Sequence, residues 1–529
     1  MGADLRALRT LALSSGFYLL GLLVIAALAG IDVAVTLSGH PAVFLKVYVI
    51  TVALAIPVVR GLLMLRTPVP ETPVGIPVRE AQEPRLWHTV RELAGLVGTH
   101  PPDEIVLTAD VNAAVSEDTR LLGLAAGKRR LHLGLPLMIG LSEAQLRAVL
   151  VHELGHYSNA DTRLATIAAR GRVRVLRTVS HFEERADRTI AKDRARQERL
   201  AEKSTARGRR AKKVDTAGTG ATYRLMAKIY RAYAAFYFRA TLSDARRQEL
   251  AADLTATRIA GRDATASAMR EIAVLDAAYD FYLQSYAMLG TDAGMVPPPG
   301  EVFGGLRHFL AARRAELDEL RRELPTEPPS AYDSHPPMAE RIARIEALPD
   351  DRRAGEAHRP AVELLSSPSD SLSALERVAL APQIQGLRRA TWPELVHRSM
   401  AWRVVQEAEP LRRATAEITG DPSLASLLDA LERDALWQLA DRLPKSEAAA
   451  AVSGRAAREF ARPVLRRALS RLVVSELAAA GRAHWELSWT DAPALHLPDG
   501  CAELLPSALD AAVSDRTDTG PLRTLILAH

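Results

Sequence analysis

The sequence predicts a mainly α-helical protein with a small β-sheet, two N-terminal transmembrane helices and a helical C-terminal accessory domain. Three observations support this fold class. Long apolar segments occur near the N-terminus, helical periodicity dominates the remainder, and alternating β-branched patterns are confined to one short region. The 529 residues suffice for more than one domain, and the 48 % hydrophobic content is ample for globular cores.

Two apolar segments predict a membrane anchor over residues 1–66. The first, Leu11–Ile31, carries no charge and is long enough to span a bilayer as a helix. A cleaved signal peptide is the alternative, because arginines precede this segment and Ala-Leu-Ala-Gly lies near its end. The second segment, Val43–Leu65, contains Lys46 and Arg60 near its ends, where long side chains can reach the membrane surface.

The charges beside these segments predict their orientation. Arg6 and Arg9 precede the first segment, whereas the loop Asp32–Ala42 contains no Lys or Arg. Further arginines lie within the end of the second segment or follow it, at positions 60, 66, 79 and 85. Because cytoplasmic flanks carry the excess of basic residues, we expect a multi-pass protein of the cell membrane whose main domain faces the cytoplasm. The lipid bilayer is then its first expected partner.

The rest of the chain divides into three regions. Residues 67–84 are rich in proline and predict an extended linker. Residues 85–348 combine helices with two or three short strands, expected within Asp103–Glu117 and Lys128–Met138. Residues 349–529 show helical periodicity and a hairpin pattern, without a motif that implies chemistry. They predict an accessory domain of unknown role, large enough to bind a protein partner.

Charge and cysteine content exclude some classes of function. The net charge is only +5, and basic and acidic residues are mixed along the chain. No basic motif is interleaved with aromatic residues, so we expect no nucleic-acid partner. Cys501 is the single cysteine, which excludes an internal disulfide and a cysteine-based metal site.

Two polar or amphipathic segments interrupt residues 85–348. The strongly basic segment Arg185–Lys213 predicts a solvated helix or a disordered insertion, with contact to anionic lipid as the alternative. The aromatic segment Tyr223–Leu242 contains four basic residues, which argue against a third membrane span. We expect a core helix or an interfacial helix there.

The motif His152-Glu153-x-x-His156 predicts a metal site. Ser142 and Gln145 fit a capping box at the start of a helix with an apolar face. On that helix His152 and His156 lie one turn apart on the same face, so both imidazoles can bind one zinc ion. Glu153 lies beside them and can act as a general base on water.

A catalytic zinc ion commonly has three protein ligands, so a third must come from elsewhere in the chain. The metzincin pattern is excluded because Thr162 stands where that class has its third histidine. Two segments place an Asp four residues after a Glu: Glu183 with Asp187, and Glu249 with Asp253. The first pair lies among other charges, whereas the second lies on an apolar helix where a buried acid needs a partner. We therefore expect Glu249 to complete a site for one Zn²⁺ per chain, and Asp253 to accept a hydrogen bond from a zinc histidine.

These motifs resemble those of the HtpX-like family of membrane zinc metallopeptidases, whose relatives are the CAAX prenyl proteases. The resemblance extends over about Pro70–Leu348. The matching motifs are His152-Glu153-x-x-His156, Arg246-x-x-Glu249-x-x-x-Asp253, and Ser334-His335-Pro336-Pro337 with Glu340-Arg341-Ile342. The resemblance implies a zincin-like metallopeptidase domain that hydrolyses protein or peptide substrates, again with Glu249 as the third ligand.

The resemblance also implies that Asn112 and Ala113 border the substrate groove, and that His335 steadies the oxyanion of the tetrahedral intermediate. On its own, a histidine before two prolines is typical of a turn or a helix start.

The expected function is a membrane-anchored zinc endopeptidase, with membrane-protein quality control as one setting. The alternatives are a membrane-anchored scaffold with a structural zinc site and a CAAX-type processing protease. Glu153 argues against the scaffold, since a structural site needs no base.

The charge asymmetry leads to a first prediction, on topology. An epitope tag inserted in Asp32–Ala42 should be labelled from outside the cell, and a reporter fused after His529 should be active only in the cytoplasm. A tag that is inaccessible from outside would contradict the two-span arrangement.

Overall fold

The computed structural model describes most of the chain, and the fold is mainly helical with small sheets. The described residues are 3–39, 44–59 in part, 74–120, 125–156, 162–206, 216, 218–323, 336–350, 359–444 and 454–527. The fold class predicted from the sequence is confirmed in its mainly α character with a small sheet.

The N-terminal region is one long helix, α1 (Ala3–Leu37). Within the described residues, one helical stretch is long and apolar enough to cross a membrane, namely Tyr18–Leu37. It overlaps the predicted first span. The predicted second span, Val43–Leu65, lies partly outside the described residues, so the two-span arrangement stays a prediction.

A four-stranded sheet has the order β1-β2-β4-β3, with β2 and β4 parallel and both outer pairs antiparallel. The strands are β1 (Gly75–Val78), β2 (Glu104–Thr108), β3 (Ala113–Arg120) and β4 (Ala125–Gly134). The strands predicted after Asp103 are confirmed. Strand β1, however, lies within the segment expected to be a linker, because that segment pairs with β2. Val78 is also buried, and its carbonyl accepts a hydrogen bond from Trp87 Nε1 at 3.1 Å. Leu135–Gly140 is a short helix, α3, rather than strand, since Pro136 favours a first helical turn.

Gly134, at the end of β4, allows a very close approach of two backbone segments. Its N–H donates to the Asn112 carbonyl oxygen at 2.8 Å. A Cβ atom at this position would lie 1.8 Å from the Asp110 carbonyl oxygen, which no side chain tolerates. The glycine therefore holds the start of strand β3 against the end of β4.

Helices cover the sheet and form the first hydrophobic core. The predicted helix after the linker is confirmed as α2, and its residues Leu86, Val90 and Leu93 are fully buried. The helices of this region are α2 (Pro84–Val97), α4 (Glu143–Gly155), α5 (Thr162–Ala206), α6 (Ala221–Ala260), α7 (Arg262–Tyr282), α8 (Glu301–Gly304), α9 (Leu306–Ala312), α10 (Arg314–Arg322) and α11 (Met338–Glu346).

Helices α5 and α6 form a long antiparallel pair. The basic segment is helical as far as Ala206, and residues 207–215 lie outside the described residues. Tyr230 and Tyr237 of α6 are fully buried, and the ring of Tyr230 lies 5.5 Å from that of Phe182 on α5. Tyr223–Leu242 is therefore part of a helix whose buried aromatic residues pack against α5, while its basic residues are exposed.

The C-terminal region contains a second hydrophobic core, but that core does not begin at residue 349. Residues Ala361, Leu372 and Leu395 still pack into the first core, whereas the second core begins at Val396. Strands β5 (Met295–Val296) and β6 (Arg388–Arg389) form a small parallel pair. The predicted helices and hairpin are present. They are α12 (Pro368–Ala379), α13 (Pro382–Gln385), α14 (Trp392–Thr419), α15 (Leu424–Glu432), α16 (Leu436–Arg442), α17 (Gly454–Ala479), β7 (His484–Glu486), β8 (Ala494–His496), α18 (Cys501–Ala512) and α19 (Gly520–Leu527).

The loop of the β7–β8 hairpin joins the two cores. Trp489 stacks on Tyr286 with ring centroids 5.0 Å apart and meets Trp392 edge-on at the same distance. Arg313 donates to the carbonyl oxygens of Trp489 and Thr490 at 2.8 and 2.6 Å. Because these contacts come from both regions, the accessory part is packed directly on the first core.

Candidate active site

The capping box predicted for α4 positions the first two site residues. The Ser142 side chain accepts the Gln145 N–H, and the Gln145 side chain accepts the Ser142 N–H. The helix ends one residue before His156. His152 and His156 lie on one side of it, with ring centroids 4.8 Å apart and their Nε2 atoms separated by 3.2 Å.

Helix α6 supplies the third residue. Glu249 is buried, and its carboxylate oxygens lie 3.6 Å from His152 Nε2 and 3.7 Å from His156 Nε2. One ligand atom from each of the three residues lies within 4.8 Å of the other two, so the group could hold a metal ion. The two helices pack closely here, since a Cβ atom at Gly155 would be in ordinary van der Waals contact with Ala252.

Asp253, one turn after Glu249, orients the first histidine. Its Oδ1 atom lies 2.9 Å from His152 Nδ1, on the side of the ring away from the cluster. A proton held on Nδ1 leaves the Nε2 lone pair directed at the cluster. Burial lowers the pKa of His152, but hydrogen bonds to Asp253 and Glu249 outweigh burial and raise that pKa to about 9. A metal ion would replace the proton on Nε2.

Arg341, on α11, is a site residue to which sequence reasoning assigned no role. It is buried and binds Asp253 in bidentate fashion, with Nε–Oδ2 and Nη2–Oδ1 distances of 2.9 and 2.6 Å. Burial raises the pKa of Asp253, but hydrogen bonds from Arg341 and His152 outweigh burial and lower it. Arg341 Nη2 also lies 3.6 Å from Glu249 Oε2. The signal was present in the sequence, as Arg341 belongs to the third motif of the resemblance.

The charges around the cluster suit a divalent cation. Glu153 lies between the two histidines in sequence, is partly exposed, and acts electrostatically on both His152 and Arg341. Three carboxylates and one guanidinium leave two net negative charges when the imidazoles are neutral. Two imidazole nitrogens and one carboxylate are also a donor set that zinc and similar ions bind. The residues present therefore fit a metal ion.

The remaining residues considered from the sequence lie at different places relative to the cluster. Asn112 is exposed and Ala113 is buried at the start of β3, an edge strand that packs beside α4. Glu183 lies on α5 and pairs with Arg231, apart from the cluster, so an ion pair accounts for it. His335 lies outside the described residues, and its role stays a prediction.

Comparison with known families agrees with this geometry. The profile of Peptidase family M48 matches residues 80–348, just over half of the 529 residues. The chain belongs to peptidase family M48. The resemblance drawn from the motifs is thereby confirmed, and the chain is a member of a metallopeptidase family. No curated protein and no solved structure matches the sequence.

The cluster of this M48 member leads to a second prediction, on its ligands. His152→Ala, His156→Ala and Glu249→Ala should each lose most of one equivalent of metal per chain relative to the parent, because each removes one donor. Metal content can be counted by mass spectrometry after dialysis against a weak chelator.

Glu183→Ala is the matched control, since it removes the competing acid of the same type. It should retain the metal of the parent. Loss of metal in this variant together with full retention in Glu249→Ala would reverse the assignment of the third ligand.

A third prediction concerns Arg341. Arg341→Met removes the partner of a buried carboxylate, which costs about 3–5 kcal/mol where such pairs have been broken. We expect a clear drop in the thermal unfolding temperature of the metal-loaded protein. Adding Asp253→Asn should recover part of that stability, because the uncompensated charge is then absent.

Arg344→Met is the control on the same helix, because Arg344 is exposed and pairs with Glu340 one turn away. Exposed pairs contribute about 0–1 kcal/mol, so its unfolding temperature should hardly change. An equal change in unfolding temperature for the two substitutions would show that the Arg341–Asp253 pair stabilises the fold no more than an exposed ion pair does.

Proposed function

We propose that this M48 member is a membrane-anchored zinc endopeptidase that hydrolyses peptide bonds of protein substrates at the cytoplasmic face of the membrane. One observation carries the proposal: His152, His156 and Glu249 converge from two helices, with Glu153 beside them. That arrangement combines a ligand set with a base, which a hydrolytic site requires and a purely structural site does not.

In this proposal His152, His156 and Glu249 hold one zinc ion. The bound ion would supply Lewis-acid chemistry, lowering the pKa of a water molecule and polarising the peptide carbonyl. The negative charge of the surrounding carboxylates and the buried position of Glu249 support a divalent cation at this point.

The chain's own groups perform the proton transfers. Glu153 accepts a proton from the attacking water and then donates it to the nitrogen of the leaving amine. Asp253 keeps a proton on His152 Nδ1, and Arg341 keeps Asp253 ionised and in place. Arg341 and Asp253 are therefore positioning residues, since they act through His152.

The sheet offers a binding mode for substrate. Strand β3 pairs with β4 on one side, and within the described residues no further strand pairs with its other side. An extended peptide can add to such an edge through backbone hydrogen bonds, which require no chain terminus in the substrate. This binding mode favours cleavage within a chain, which is endopeptidase activity. Asn112 and Ala113 would lie at the start of the strand that binds the substrate.

The membrane part of the proposal rests on α1. Leu19, Leu22 and Leu23 are each more than half exposed, as side chains that contact lipid would be. The positive-inside rule assigns the peptidase region to the cytoplasm. A membrane-anchored peptidase in that location suits membrane-protein quality control, with misfolded or surplus membrane proteins as substrates.

The fourth prediction tests the chemistry. Glu153→Gln preserves size and hydrogen bonding but removes the base, so metal binding and folding should be nearly unchanged. Cleavage of casein or of the protein itself should fall by at least about 10²–10⁴-fold, as expected for loss of a general base. The assay uses detergent-solubilised full-length protein, with metal content measured on the same sample.

Glu143→Gln is a matched control at the start of the same helix and should cleave at the parental rate. Parental activity in Glu153→Gln would exclude the mechanism. If neither the parent nor Glu153→Gln cleaves any substrate, while both support the same cellular role, the scaffold alternative is correct.

A further inference from the structure

The β7–β8 hairpin carries two histidines and a glutamate, residue types that can bind metal ions, far along the chain from the M48 motifs. His484 and His496 are directly paired across the two strands, so their side chains lie on the same face. Glu486, two residues after His484, shares that face because alternate residues of a strand point the same way. Its Oε2 atom lies 2.7 Å from His496 Nε2.

The spacing of this pair closely matches that of the M48 site. The rings of His484 and His496 have centroids 4.9 Å apart, compared with 4.8 Å for His152 and His156. The difference is in orientation, since the hairpin rings are nearly parallel at 17° and the other pair is at 87°. All three hairpin residues are exposed, and the outer torsion of a histidine has broad preferences, so one ring can turn at little cost.

The backbone beneath the group is held in place. Trp485, between His484 and Glu486, is buried in the second core. Its N–H donates to Nδ1 of His397 on α14 at 3.3 Å. The backbone of the hairpin is therefore anchored in the second core, and the three donors would converge by rotation of their side chains.

We propose that His484, His496 and Glu486 form a second metal site, which binds a divalent late transition-metal ion such as Zn²⁺ or Ni²⁺. Two imidazoles and one carboxylate suit these ions, whereas Ca²⁺ and Mg²⁺ prefer sites made of oxygen donors. A site with three protein donors leaves coordination positions open to water or to a donor from a partner. The ion would cross-link the two strands whose loop carries Trp489 to the first core.

The test counts metal ions in the full chain, purified without a histidine tag. The protein is stripped with a chelator, dialysed against micromolar Zn²⁺ and analysed by mass spectrometry. The parent should bind one equivalent more than the double variant His484→Ala/His496→Ala. A His152→Ala/His156→Ala variant should lose a different equivalent and keep the hairpin ion, which separates this proposal from the zinc peptidase proposal.

The control is His88→Ala/His100→Ala, which removes two other exposed imidazoles. It should bind as much metal as the parent. Glu486→Gln should weaken binding of the hairpin ion, measured as a rise in the free Zn²⁺ concentration at half occupancy. Equal metal content in the parent and in His484→Ala/His496→Ala would overturn the proposal, as would an equal loss in the control.

Discussion

The buried charge arrangement around Asp253 is the constraint on which the candidate active site depends. Asp253 lies between His152 of α4 and Arg341 of α11, and both contacts are within hydrogen-bonding distance. Three helices that are distant in sequence are thereby held at one point. An ionised carboxylate is costly to bury alone. The guanidinium of Arg341 and the imidazole of His152 must therefore both contact Asp253 when the helices pack.

The same contacts bring His152 and Glu249 together. The orientation of His152 is set by Asp253, and that of Asp253 by the bidentate guanidinium of Arg341. Glu249 lies one turn before Asp253 on α6 and reaches the same region. The remaining negative charge is what a divalent cation would neutralise.

Two further regions pack against the helices that carry this centre. The sheet places edge strand β3 beside α4, and the close approach at Gly134 holds the start of that strand. The C-terminal region packs on the first core just beyond the end of α7, where Trp489 stacks on Tyr286 and its carbonyl oxygen accepts a hydrogen bond from Arg313. The proposed hairpin ion would bind on the two strands whose connecting loop carries Trp489. The accessory region is therefore an integral part of the molecule.

The sequence by itself determined the features that depend on local interactions. The capping box and the spacing of His152 and His156 are set within one helix, and the apolar context of Glu249 favoured it over Glu183. Contacts between distant segments could only be decided by the tertiary structure. The pairing of Arg341 with Asp253 joins residues 88 positions apart, and β1 is a strand only because β2 supplies its hydrogen bonds. The limit of the first core near Leu395, beyond the predicted boundary at 348, has the same origin. Local periodicity reports which face of an element is buried, but not which distant element covers it.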